Sequence, residues 1–296
     1  MRILITGATG FIGAHLAKHL AKQHEIAMLL RPQARKERLA GIEPPPRLLL
    51  WDGTVESMPL LLNDFKPACV IHLASYFTGA HKPADIDPLI ESNIRFPSIL
   101  LETMAQSGCK QFINTGSVMQ HYENAAYAPM NLYAATKQAC ADILTYYIQS
   151  SGIKRAVTLE LADTYGPNDP RSKLISLLQK TAASGEVLGM SPGEQYVDLI
   201  HVDDVVRAYE LALGILQKMP DGQQKTFAIR SGAPLTVKSL VELFNQVSPR
   251  PVKAEWGKRP YQPREIFQPW QGELLPGWKP QITLQEGLRA LLGAKS

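Results

Sequence analysis

Thr6-Gly7-Ala8-Thr9-Gly10-Phe11-Ile12-Gly13 decides the fold of this chain. It follows an apolar run at residues 2–5 with the composition of a buried strand. It opens residues 12–22, where apolar side chains recur at helical spacing. A turn between strand and helix needs backbone angles that side chains resist, and glycine supplies them. Glycines also let a pyrophosphate approach the main chain, while the free N–H groups and dipole of the helix start attract its charge. Three glycines among 21 would mean little alone. Their place in the first strand–turn–helix unit points to dinucleotide binding.

Further short apolar runs lie at residues 26–30, 47–50, 69–73, 111–114 and 157–161. Helical patterns occupy residues 86–106 and 131–150, and Pro44-Pro45-Pro46 marks a loop before the third strand. Continuous buried strands alternating with helices predict an α/β fold, a Rossmann-type doubly wound parallel sheet. Past residue 165 the pattern loosens. Helical stretches persist at 174–183, 202–216 and 237–244, and residues 259–280 are rich in proline. We expect a dinucleotide-binding domain over residues 1–165 and a smaller C-terminal substrate-binding lobe over 166–296, interleaved with the first.

Composition narrows the function. Of 296 residues, 45% are hydrophobic and 20% charged, a globular balance. The net charge of +4 comes without a long basic run, so no nucleic-acid partner is expected. No apolar run is long enough to span a bilayer, and a strand beginning at Arg2 leaves no room for a signal peptide. Cys69, Cys109 and Cys140 sit in apolar segments without metal-ligand spacing, which predicts reduced thiols, no metal site and a cytoplasmic protein.

At the end of the second strand a carboxylate would accept hydrogen bonds from the adenosine ribose. Here Leu30-Arg31-Pro32 stands instead, with Arg35 and Lys36 behind it. Arginine suits an extra phosphate, so NADP(H) is preferred and NAD(H) is the alternative. The other reading of these cations is a solvated loop. Asp52 is either a cap on the adenine edge or a plain turn residue.

Tyr133 and Lys137 are four residues apart on a predicted helix and share one face. A nearby ammonium stabilises phenolate and is expected to lower the tyrosine pKa, readying it for proton transfer. Among ten tyrosines such a spacing also arises by chance. Ser117, just beyond the predicted strand 111–114, is placed to hold a reacting oxygen or merely to cap a turn. His72 lies within a buried-strand pattern and reads as a core residue.

Together these residues resemble the extended short-chain dehydrogenase/reductase family, the epimerase/dehydratase group acting on nucleotide sugars. Residues 6–13 match its glycine motif, Val70-Ile71-His72-Leu73-Ala74 its fourth strand and Asn93 its following helix. Ser117, Tyr133 and Lys137 match its catalytic triad. Asp163-Thr164-Tyr165-Gly166-Pro167 and His201-Val202-Asp203-Asp204-Val205 match later signatures. Family dehydratases carry an Asp-Glu pair after the triad Ser/Thr, and here Val118-Met119 follow, which argues against water loss. Residues 163–171 and Leu275-Pro276-Gly277-Trp278-Lys279-Pro280 are most similar to CDP-abequose synthase-type nucleotide-deoxysugar 4-ketoreductases.

The resemblance implies reduction of a 4-keto-6-deoxyhexose on CDP or dTDP. Tyr133 would donate the proton, Lys137 would tune it and Ser117 would orient the ketone. Gly7, Thr9, Gly10, Phe11, Ile12 and Gly13 would hold the cofactor, with Arg31, Asp52, Leu73, Ala74, Asn93, Tyr133 and Lys137. Ser75, Ser117, Asp163, Arg171, Lys173 and Arg264 are the expected substrate contacts, although the last three cations read equally as surface charges. It also implies a homodimer through helices that include residues 131–150, where Ala139, Ile143 and Tyr147 permit such packing but equally permit burial within the monomer. The alternatives are a nucleotide-sugar epimerase with bound NAD and a non-catalytic NADP-binding regulatory protein.

Overall fold

The computed structural model describes residues 1–293. The first six strands are β1 (Arg2–Thr6), β2 (Glu25–Leu30), β3 (Arg47–Leu50), β4 (Cys69–His72), β5 (Gln111–Ser117) and β6 (Arg155–Leu161). The later ones are β7 (Asp163–Tyr165), β8 (Val187–Gly189), β9 (Tyr196–Val197), β10 (Leu199–His201), β11 (Gln223–Ile229), β12 (Leu235–Thr236) and β13 (Lys253–Glu255). Seven of these form one parallel sheet in the order β11-β6-β5-β4-β1-β2-β3. The order reverses beside β1, and in open α/β sheets ligands bind at the strand ends of such a switch point.

Helices cover both faces. On one side α1 (Phe11–Leu20) buries Leu16, Ala17 and Leu20 against the sheet. On the other, α2 (Ser57–Phe65) buries Met58, Leu62 and Phe65. The predicted helix 86–106 is three segments: α3 (Ile86–Ile90), a π-helical turn Glu91–Arg95, and α4 (Phe96–Gln106). The π turn carries the buried Asn93. Next, α5 (Leu132–Gln149) packs Leu144 and Ile148 beside α4. Each fully buried Leu or Ile removes enough apolar surface to contribute roughly 1.5–3 kcal/mol.

From Asp163 onward the chain builds three two-stranded ribbons, β7–β10 parallel, β8–β13 parallel and β9–β12 antiparallel. These pack with α6 (Leu174–Ser184), α8 (Val237–Val247) and α9 (Leu284–Gly293) around Leu178, Leu240 and Phe244. The remaining helix, α7 (Val202–Lys218), lies beside α1 on the main sheet, and β11 forms that sheet's edge. The proline-rich tail also returns to it. Leu275 and Trp278 enter the core beneath α7, and the Trp278 indole N–H donates to the Asp204 carbonyl at 3.1 Å. Nearby, the Trp270 ring stacks on His121 with centroids 3.8 Å apart. His121 in turn meets the buried Glu160 carboxylate at 2.9 Å.

Candidate active site

At the carboxyl ends of β1, β4, β5 and β6 lies a cavity of about 230 Å³. Its floor is the glycine turn. Gly7 has φ +71°, and a Cβ there would meet the Ala74 nitrogen at 2.5 Å. A Cβ on Gly13 would meet the Gly7 carbonyl oxygen at 2.2 Å. The turn is therefore folded tightly on itself and against the end of β4. Gly10 precedes α1 without a side-chain cap, and the helix's first turn holds no acid. Its first N–H groups are thus left for a ligand's negative charge. Gly7, Gly10, Phe11, Ile12 and Gly13 all line the cavity, so the turn fits the phosphates of a dinucleotide.

Beneath the turn, the Thr6 hydroxyl lies 2.9 Å from His72 Nδ1 and accepts the Ala74 N–H at 3.2 Å. His72 is buried in β4 and desolvation lowers its pKa to about 3, so it is a neutral strut joining β1 to β4.

The opposite wall carries Ser117, Tyr133 and Lys137. Ser117 is the last residue of β5 rather than a residue beyond it, because the β5–β6 ladder runs to the Ser117–Leu161 pair. Its Oγ accepts the Met119 N–H at 3.2 Å, capping the turn Val118–Gln120. That bond uses an acceptor site and leaves the hydroxyl proton to donate. Asn131 caps α5 by accepting the Ala134 N–H at 2.9 Å, which aims the first turns of that helix at the cavity.

The expected lowering of the Tyr133 pKa is not what the chain alone provides. Desolvation pushes Tyr133 up to about 12, outweighing the hydrogen bond with Ser75 and the charge of Arg171 that pull it down. Lys137 is itself buried, and desolvation lowers its pKa. At neutral pH the phenol therefore keeps its proton.

Of the remaining expected residues, Leu73, Ser75, Asp163, Arg171 and Lys173 also line the cavity. Lys173 Nζ donates to Asp163 at 2.6 Å and stands 4.6 Å from the Phe77 ring centroid. Other candidates are placed differently. Ala74 backs Gly7 instead of facing the cavity. Asn93 donates to the Tyr76 carbonyl and Thr136 hydroxyl and accepts from Ser75 and the Tyr76 N–H. Both ends of its amide are used inside the protein, making it a clip between the loop after β4 and α5. The Asp52 carboxylate closes its own turn with Thr54 and Ser57, which holds its pKa down to about 2.

Arg31 is exposed at the end of β2. Arg38 is the cation that reaches the glycine turn, donating to the Thr9 carbonyl at 3.3 Å. Arg264 is exposed and stacked 4.0 Å from the Tyr122 ring centroid, away from the cavity lining.

Sequence reasoning missed Phe77 and Met119, which also line the cavity. Phe77 packs edge-on against Tyr133, with centroids 4.9 Å apart. Phe77 carries no periodic or motif signal, and Met119 drew notice only as a residue standing where dehydratases carry an acid, not as part of the cavity wall. Among the described residues no group of three or more His, Cys, Asp or Glu could hold a metal ion, and no helix is long and apolar enough to cross a membrane.

Residues 3–227 match the NAD dependent epimerase/dehydratase family. CDP-abequose synthase of Salmonella muenchen is 25% identical over 298 residues, covering 99% of this chain and 98% of the relative. The CDP-abequose synthase of Salmonella typhimurium is 28% identical, covering 98% and 97%. A structure of UDP-glucuronic acid 4-epimerase from Bacillus cereus, in complex with UDP-glucuronic acid and NAD, superposes with a TM-score of 0.85. Its identity is 22%, with 99% of this chain and 98% of that one covered.

Proposed function

We propose that this chain, which belongs to the NAD dependent epimerase/dehydratase family, is an NADPH-dependent reductase of the 4-keto group of a CDP- or dTDP-linked 4-keto-6-deoxyhexose. The observation that carries this is the meeting of the glycine turn with Ser117, Tyr133 and Lys137 around one cavity. When bound, NADPH supplies the two electrons and the hydrogen that reduce the ketone carbon. Tyr133 holds the other proton at its phenolic oxygen and delivers it to the ketone oxygen. Ser117 donates a hydrogen bond to that oxygen and stabilises its developing charge. Lys137, close behind on α5, stabilises the phenolate left on Tyr133 until water returns the proton.

A phenol that keeps its proton is in the state that reduction requires. Val118 and Met119, where dehydratases carry an acid–base pair, argue against dehydration. Similarity to two CDP-abequose synthases supports the choice of substrate class.

The C-terminal lobe is assigned to the substrate, with Ser75, Asp163 and Lys173 as its contacts at the cavity. Arg38, joined by Arg31, Arg35 and Lys36, forms a basic surface suited to the adenosine 2′-phosphate. We assign the protein to the cytoplasm, as a homodimer through α4 and α5.

The test is NADPH oxidation, followed by absorbance, against enzymatically prepared CDP- and dTDP-4-ketosugars. One equivalent of NADPH should be consumed per ketone. Turnover of a nucleotide sugar without added cofactor would instead identify an epimerase with bound NAD. NADPH binding without turnover of any nucleotide sugar would restore the regulatory alternative.

A further inference from the structure

Two cations reach the cavity from the loop between β7 and α6, and they stack on different rings of its lining. Lys173 sits over Phe77, beside Tyr133. Arg171 sits over Phe11, its guanidinium carbon 4.7 Å from the ring centroid. Phe11 is the first residue of α1, where the uncapped N–H groups face the cavity. Arg171 is held in this place by three bonds. Nε and Nη2 donate to the two Asp169 oxygens at 2.8 and 2.7 Å, and Nη2 donates to the Thr164 carbonyl at 2.6 Å. Among the described residues Nη1 makes no hydrogen bond to protein.

We propose that Arg171, braced by Asp169, is a clasp that closes over the diphosphate of the bound dinucleotide and sets how fast the cofactor leaves. The clasp rests on the reading of the cavity as a dinucleotide site. The glycine turn offers main-chain donors from below, and Arg171 adds a charged donor from above. A charge-assisted bond to phosphate is stronger than a neutral one. Because Asp169 fixes the guanidinium beforehand, little side-chain freedom is lost when phosphate arrives.

The same carboxylate offsets part of the arginine's charge, which weakens the grip enough for release. Because Arg171 reaches Phe11 from the second half of the chain, the clasp ties the cofactor to both halves. Arg171 lines the cavity with the glycine turn rather than lying on the outer surface. Lys173, beside Phe77, is left for the substrate.

The experiment needs no turnover. Wild-type chain, Arg171→Ala and Arg171→Lys are titrated with NADPH by its fluorescence, then by competition with 2′-phospho-ADP-ribose and with 2′,5′-ADP, which lacks the bridging diphosphate. If the wild-type chain selects NADH, ADP-ribose and AMP take their places. Arg171→Ala should weaken NADPH and 2′-phospho-ADP-ribose by on the order of 10- to 100-fold. Most of this should appear as faster release in stopped flow. Affinity for 2′,5′-ADP, which keeps only one of the two bridging phosphates, should fall by clearly less, and Arg171→Lys should fall between. Equal weakening of all three ligands, or unchanged NADPH affinity with only a raised KM for nucleotide sugar, overturns the clasp. A wild-type chain that binds no dinucleotide overturns the cofactor reading together with it.

Discussion

The two ends of the cavity are built in opposite ways. At the phosphate end, Gly7, Gly10, Phe11, Ile12 and Gly13, all from one short stretch of chain, line the cavity, and what they offer a ligand is mostly main chain. At the reactive end, Ser75, Phe77, Ser117, Tyr133, Lys137 and Lys173 come from segments far apart in sequence, and their side chains do the work. A main-chain site depends on local geometry, so substitutions there should act through shape. A side-chain site depends on chemistry, so substitutions there should remove function and leave the scaffold standing.

The largest effect expected from this contrast is at Tyr133. Tyr133→Phe removes the proton donor and keeps the ring against Phe77. Turnover should fall by about 10²–10⁴-fold, with NADPH affinity nearly intact in a fluorescence titration. Near-wild-type turnover would mean that the reactive end has been misassigned.

Gly13→Ala probes the other end. Its methyl would press on the Gly7 carbonyl, a backbone atom that cannot rotate away. Thermal melts should show a loss of about 1–3 kcal/mol, and dinucleotide affinity should drop with it. A variant that keeps both would show that the turn is looser than its contacts.

An intermediate effect belongs to the strut beneath the turn. His72 has its pKa lowered from 6.5 to about 3, so the unfolded chain binds a proton there before the folded one does. Its contribution to stability is complete above pH 6.5 and is lost as pH falls toward 3. From pH 6.5 to 5 this amounts to about 2 kcal/mol. Urea melts at the two pH values should show that much less acid sensitivity in His72→Gln than in wild type.

The smallest effect expected is at Arg38. Arg38→Ala should lower the preference for NADPH over NADH by roughly tenfold, and Arg31→Ala by less. The reverse order would return the 2′-phosphate to the end of β2.

The same contrast explains what could be read from sequence. The glycine turn and the strand–helix alternation are local patterns, and they gave the sheet and its phosphate end. Tyr133 and Lys137 were found because one helical turn separates them. That Phe77 and Met119 line the cavity could not be read, because it depends on how the loops after β4 and β5 settle. Arg31 drew attention by position, whereas Arg38 reaches the turn through a 3₁₀ turn, Glu37–Leu39, that composition does not announce. The tyrosine pKa went the other way because spacing reveals the neighbouring lysine but not the desolvation that opposes it.

The return of the tail to the main sheet bears on how this protein is made. Strand β11 and the Leu275–Trp278 plug arrive late in synthesis, yet both complete the layer begun at Arg2. On the ribosome the early strands must wait with β6 unpaired on one side and the α7 face uncovered. Nascent chains released before β11 emerges would expose that edge to one another, and those released before Trp278 would leave the core beneath α7 open, so premature termination should yield aggregates and not a working half-enzyme.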